Sequence, residues 1–135
     1  MNVDIQQVTF TARETAELVL RTESIDLAPD QIAGSTVATL VSPGTELNGS
    51  YLGEKFPRTP GYASVFQVEH VGSQVEGVSA GDLRFCMGNH TSYQVSDLKT
   101  SRPVPSGLDP KVAVYARLMG VTMTTLVTTS ARPPD

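Results

Sequence analysis

The sequence predicts a mainly β fold with helices at its C-terminal end. Three observations carry this. As far as Pro105 the chain is a series of short runs rich in β-branched and aromatic residues, broken repeatedly by glycine and proline, the pattern of a β-barrel or sandwich. After Pro105 the pattern changes, and Asp109-Pro110 leads into a longer run without such breaks. With 135 residues the chain is the size of one domain and can bury a core without disulfides or metals.

The elements follow in order. Val3 to Thr11 alternates in part, with Val3, Ile5 and Phe10 apolar, and reads as a strand. Ala16 to Thr22 (AELVLRT) is a second strand, and Ile25 to Asp30, with Pro29, is a connection. Gly34 to Val41 (GSTVATLV) is β-branched and reads as a buried strand. Ser42-Pro43-Gly44-Thr45 is a turn by its Pro-Gly pair, and Asn48 to Gly61 is a loop. Ala63 to Val71 is a strand, followed by two more at Leu83 to Met87 and Thr91 to Val95. Asp109 is placed as the N-cap of a helix, because its carboxylate can accept orphan N–H groups. Pro110 is then the first helical residue, where its missing N–H costs nothing. Lys111 to Met119 (KVAVYARLM) forms the helix, with a break or kink at Gly120 and a second helix from Val121 to Thr129.

Composition narrows the function. The formal net charge is -4, and the ten basic residues are scattered, which argues against nucleic acid. No apolar run approaches the length of a membrane span. The start, MNVDIQQVTF, has neither the basic residues nor the apolar run of a signal peptide. Cys86 is the single cysteine, so no internal disulfide forms, and a cytoplasmic setting fits best. The sequons at Asn48 and Asn89 are read as chance in such a setting. No G-x-S-x-G occurs, so a small hydrolase has little support.

The segment from Gly61 to Asp82, GYASVFQVEHVGSQVEGVSAGD, carries the most specific pattern. It resembles the medium-chain dehydrogenase/reductase (zinc alcohol dehydrogenase-like) signature G-H-E-x-x-G-x-V-x-x-V-G-x-x-V-x-x-x-x-x-G-D. Gly61, Val68, Val71, Gly72, Val75, Gly81 and Asp82 match without a gap. Val68, Val71 and Val75 are expected to supply core contacts. Gly72 is expected to allow a turn that Cβ would hinder, and Gly81-Asp82 to make the turn before the next strand. Val41 to Glu46 (VSPGTE) is similar to the family's S-G-I-C-G-T-D segment. Arg102 to Leu126 is similar to the segment that leads out of its catalytic domain. The resemblance implies a GroES-like, partly open β-barrel over residues 1–129, with residues 130–135 as a linker. It also supports the second helix, a threonine-rich stretch that forms one poorly alone.

The same resemblance implies an NAD(P)-dependent oxidoreductase whose Rossmann domain would follow, since the chain holds no G-x-G-x-x-G. The expectation is therefore the N-terminal, substrate-side portion of a larger enzyme, binding no cofactor itself and inactive in isolation. The segment that returns from the Rossmann domain to the catalytic domain is missing as well. Apolar surface should then be exposed, and a homodimer is one way to cover it. The alternative is a stand-alone GroES-like barrel serving as an interaction module.

The zinc positions of the family are replaced. Its cysteine falls on Pro43, its histidine on Tyr62, and its third ligand near Arg117 and Leu118. The four-cysteine structural lobe is missing too. The resemblance thus predicts a zinc-independent member that binds no metal, with a small-molecule substrate in the full-length enzyme.

Several residues are candidates for the chemistry. Thr45 holds the family's relay hydroxyl position, or is a turn threonine bonded to its own backbone. Tyr62 either donates to a substrate carbonyl or fills the vacated metal pocket, and filling is the preferred reading. His90 is a general-acid candidate at neutral pH. Glu46 sits at an acidic position that supports the active site in relatives, or is a surface charge. Arg117 faces a missing domain or a phosphate, or lies on the solvated face of its helix, the preferred reading. Cys86 reads as a buried apolar residue, and His70 as solvated or structural.

Overall fold

The computed structural model describes residues 1–129; the expected linker at 130–135 lies outside the described residues. Two antiparallel sheets form the body. β1 (Asn2–Ala12) and β2 (Thr15–Ser24) make a hairpin. The second sheet has the order β6-β3-β4-β5-β7, from β3 (Gln31–Leu40), β4 (Ala63–Val71), β5 (Leu83–Cys86), β6 (Tyr93–Asp97) and β7 (Arg102–Pro103). All its pairings are antiparallel. Single bridges, Gln7 to Thr91 and Phe10 to Arg58, tie the hairpin to loops of the larger sheet without closing a barrel. The expected mainly β fold with C-terminal helices is thus present, in its open form.

β4 runs over the residues its composition indicates, and its first four residues are fully buried. Phe66, Val65 and Val68 each lose about 1.5–3 kcal/mol of unfavourable hydration on burial. Ile32, Phe66, Val68 and Cys86 form one core cluster, with Val75 packed against it. Val71 departs from expectation: β4 surfaces after Val68, and Val71 is exposed. Gly72 is required for a different reason than the turn expected of it. A Cβ there would run into the carbonyl oxygens of Ala28 and Pro29. The segment approaches that closely because Gly72 N–H donates to Gln31 O and Gln74 N–H to Pro29 O, at 2.7 and 2.8 Å.

Several elements differ from the sequence reading; the strand expected over Thr91 to Val95, for example, starts at Tyr93 and runs on to Asp97. Ser42 to Thr45 is not a free turn but opens a helical turn, α1 (Pro43–Glu46), that continues into a π-helical stretch, Leu47–Tyr51. Pro43 presets φ at the first position, and Glu46 N–H donates to Ser42 O at 2.9 Å. β3 begins three residues earlier than composition suggests, because Gln31 pairs with Asp97 on the edge strand β6. β7 has only two residues and no alternation to announce it.

At the C-terminal end Asp109 caps α2 (Pro110–Ala113), its Oδ1 accepting Lys111 N–H at 2.8 Å. The helix does not break at Gly120. The break comes at Val114-Tyr115, before α3 (Ala116–Thr128). Ala113 and Val114 are locked into a core cluster with Leu40, Ala63 and Val65, so the chain must turn there to leave the sheet. Gly120 stands in open space inside α3, where it weakens a helix without ending it. Thr122, Thr124 and Thr128 of α3 bond back to their own helix, with Thr124 Oγ1 donating to Gly120 O at 2.9 Å. Among the described residues no helix is long and apolar enough to cross a membrane.

Candidate functional site

Three elements converge on one largely buried imidazole. β3 brings Thr39, α1 brings Glu46, and the loop between β5 and β6 brings His90. That loop is pinned on both sides: His90 N–H donates to Pro60 O, and His90 O accepts from Val8 N–H, each at 2.9 Å. It lies so close to Gly61 that a Cβ there would meet the backbone of Asn89, and the φ of 153° at Gly61 suits glycine.

The ring bonds at both nitrogens. His90 Nε2 is 3.0 Å from Glu46 Oε2, and His90 Nδ1 is 2.8 Å from Thr39 Oγ1. Both members of the His90–Glu46 pair are only 9% exposed. The other carboxylate oxygen, Glu46 Oε1, accepts Ser42 N–H at 2.9 Å. An ionised carboxylate only accepts, so Nε2 carries hydrogen. In the neutral ring Nδ1 is then bare and accepts the Thr39 hydroxyl hydrogen. Of the alternatives for Glu46, the surface charge is not what the structure shows: Glu46 is buried and paired.

The remaining candidates lie apart from this chain of bonds. Thr45 is exposed, and its hydroxyl accepts from Ser42 Oγ at 3.1 Å. Tyr62 is half-buried against the Leu40, Ala63 and Val65 cluster. The Arg117 guanidinium lies over its ring, 4.8 Å from the centroid. Arg117 is therefore half-buried and stacked rather than on a solvated helix face, and its Nε is buried with no hydrogen-bond partner among the described residues. His70 is exposed near the end of β4. Cys86 is buried, with Ser64 Oγ 3.1 Å from its sulfur, and burial pushes its thiol pKa up. Burial also pushes the Tyr93 phenol up to about 12, with Glu69 adding to the shift.

Two open pockets flank Thr39. One, of about 490 Å³, lies between the end of β3 and α2 and α3, lined by Val37, Val41, Val114, Tyr115 and Leu118 besides Thr39. The other, of about 310 Å³, lies between the hairpin and β3, where Gln6, Thr36, His90, Thr91 and Ser92 supply polar groups. The residues where the resemblance places zinc ligands do not fit a metal. Pro43 and Tyr62 offer no thiolate or imidazole, and neither do Arg117 and Leu118. Among the described residues no three His, Cys, Asp or Glu side chains come together as a metal site. A dinucleotide site does not fit either: the described strands pair antiparallel, so no parallel βαβ unit presents a helix N-terminus to a pyrophosphate.

The sequence missed Thr39, which lies inside a run read as a buried strand. Its one signal is its place two residues after Val37 in a strand whose side chains alternate, and Val37 is exposed. Ser42, whose N–H fixes the Glu46 carboxylate, gave no signal beyond its place before a proline.

The chain matches no family model and no curated protein. Solved structures do match. The quinone oxidoreductase from Coxiella burnetii is 18% identical with a TM-score of 0.80, covering 98% of this chain and 47% of that one. Galactitol-1-phosphate dehydrogenase from Escherichia coli is 12% identical with a TM-score of 0.76, covering 87% of this chain and 43% of that one. A complex of Etr1p with NADP and crotonyl-CoA is 19% identical with a TM-score of 0.72, covering 98% of this chain and 45% of that one. The fold is the GroES-like fold that these solved structures share with this chain. This GroES-like chain spans less than half the length of the solved structures it matches.

Proposed function

We propose that this chain is the substrate-side part of a zinc-independent, NAD(P)-dependent medium-chain oxidoreductase acting on a small molecule, in a cytoplasmic setting. The observation that carries the reading is a conjunction. The fold matches oxidoreductases over nearly the whole chain, while Pro43 and Tyr62 stand where the resemblance places zinc ligands. Hydride chemistry belongs to the nicotinamide, and the protein's part is to orient the substrate and handle its proton, so loss of zinc leaves a workable enzyme. The dinucleotide would be held by residues beyond this domain, and the chain by itself has no turnover. The exposed apolar residues of α3, among them Leu118, Met119 and Met123, fit a surface covered by the rest of that enzyme.

Two measurements test this. Calorimetric titration of the chain with NADPH should show no micromolar binding. Metal analysis after dialysis against zinc should show far less than one zinc per chain. Micromolar NADPH binding or stoichiometric zinc overturns the reading.

A further inference from the structure

We infer that Thr39, His90 and Glu46 form a proton relay that opens on the pocket between the β1–β2 hairpin and β3. Thr39 is the group that exchanges a proton with the hydroxyl of a substrate alcohol, or with the oxygen of its carbonyl partner. The inference rests on the oxidoreductase reading and names the residues that handle the substrate proton in it.

The geometry is directional. Glu46 is fixed at one oxygen by Ser42 N–H and holds His90 Nε2 with the other. His90 Nδ1 is thereby aimed at Thr39 Oγ1, 2.8 Å away. Glu46 is buried and the His90 side chain is only 9% exposed, which limits the competition of water for these bonds. Thr39 alone of the three lines both pockets, and His90 lines the one beneath the hairpin. That second pocket is lined by hydroxyl, amide and apolar groups with no Asp, Glu, Lys or Arg, so it suits an uncharged, oxygen-bearing molecule. Thr91, which also lines this pocket, has a buried hydroxyl with no hydrogen-bond partner among the described residues. By contrast Thr45 is exposed and bonds only to Ser42 among the contacts described, with no base behind it.

The exchange balances without electron transfer. The substrate O–H proton passes to Thr39 Oγ1 as the Thr39 proton passes to His90 Nδ1. The substrate is left as an alkoxide and His90 as an imidazolium, both of whose N–H groups then donate, one to Glu46 and one to Thr39. In the reverse direction that imidazolium reprotonates Thr39 as Thr39 gives its proton to the substrate oxygen. His90 and Glu46 act through Thr39 and are positioning residues.

The test uses ring ¹⁵N NMR of the histidines in this chain, titrated with cyclohexanol. The chain has two histidines, and exposed His70 is the internal control. A saturable shift of the His90 Nδ1 resonance is expected, with His70 unmoved. Thr39→Ser should keep the response and Thr39→Val should lose it, while the amide spectrum of each variant reports whether it is folded. If Thr39→Val does not fold, the wild-type and Thr39→Ser titrations still decide. An unmoved Nδ1 signal, or an equal shift in folded Thr39→Val, overturns the relay. Because no nicotinamide is involved, this failure is separate from failure of the oxidoreductase reading, which the NADPH and zinc measurements decide.

Discussion

β4 and α3 are opposite cases within one chain. The first half of β4 is buried on both faces, with Ala63, Ser64, Val65 and Phe66 at or near zero exposure. α3 buries no residue, and its Leu118, Met119, Val121, Met123 and Val127 are exposed. β4 is satisfied by its own domain: β3 and β5 pair with it, and two core clusters meet on it. In α3 the hydroxyls of Thr122, Thr124 and Thr128 bond back to the helix, while the five apolar side chains just named stay exposed. Local hydrogen bonding can complete a helix, but only a second surface can bury one.

The contrast can be broken most strongly at its buried end. Phe66→Ala should cost about 3–5 kcal/mol in urea unfolding, since it empties the centre of a cluster. Gly72→Ala should cost about 1–3 kcal/mol by forcing a Cβ against backbone carbonyls, and a neutral result would show that the approach to Ala28 and Pro29 relaxes easily. Asp109→Ala should cost about 1 kcal/mol, because a helix cap and nothing else is removed. Tyr93 gives a pH effect with a definite sign. Its folded pKa is raised above the unfolded value, so the unfolded state loses that proton first. Stability should therefore fall as pH climbs from about 10 towards 12, and Tyr93→Phe should flatten that fall in a thermal melt series. The smallest effect is expected on α3: Met123→Ala should stay within about 0.5 kcal/mol, and a larger loss would mean that a second copy covers this face.

Legibility followed the same division. β4 was readable to the residue because a run of β-branched and aromatic side chains ends at a glycine that the packing needs. Asp109-Pro110 was readable because a cap is a local bond. The helix break was misplaced because glycine is the local signal, while the cause is burial of Ala113 and Val114 against β3 and β4. Val71 was misjudged because the motif says nothing about where a strand leaves the core.

For the site, the sequence pointed to His90 and Glu46 separately and to Thr45 by position. It did not show that His90 and Glu46 meet, nor that Thr39 is the hydroxyl on the far side of the ring. Residue type and near neighbours were enough for the six longer strands, though not all their ends, for the cap, and for the lack of thiolate or imidazole at the positions where the resemblance places zinc ligands. The tertiary structure alone decided which hydroxyl faces the imidazole and which carboxylate holds it. Residues 39, 46 and 90 come from a strand, a helical turn and a distant loop, and only the folding of the sheet sets their distances.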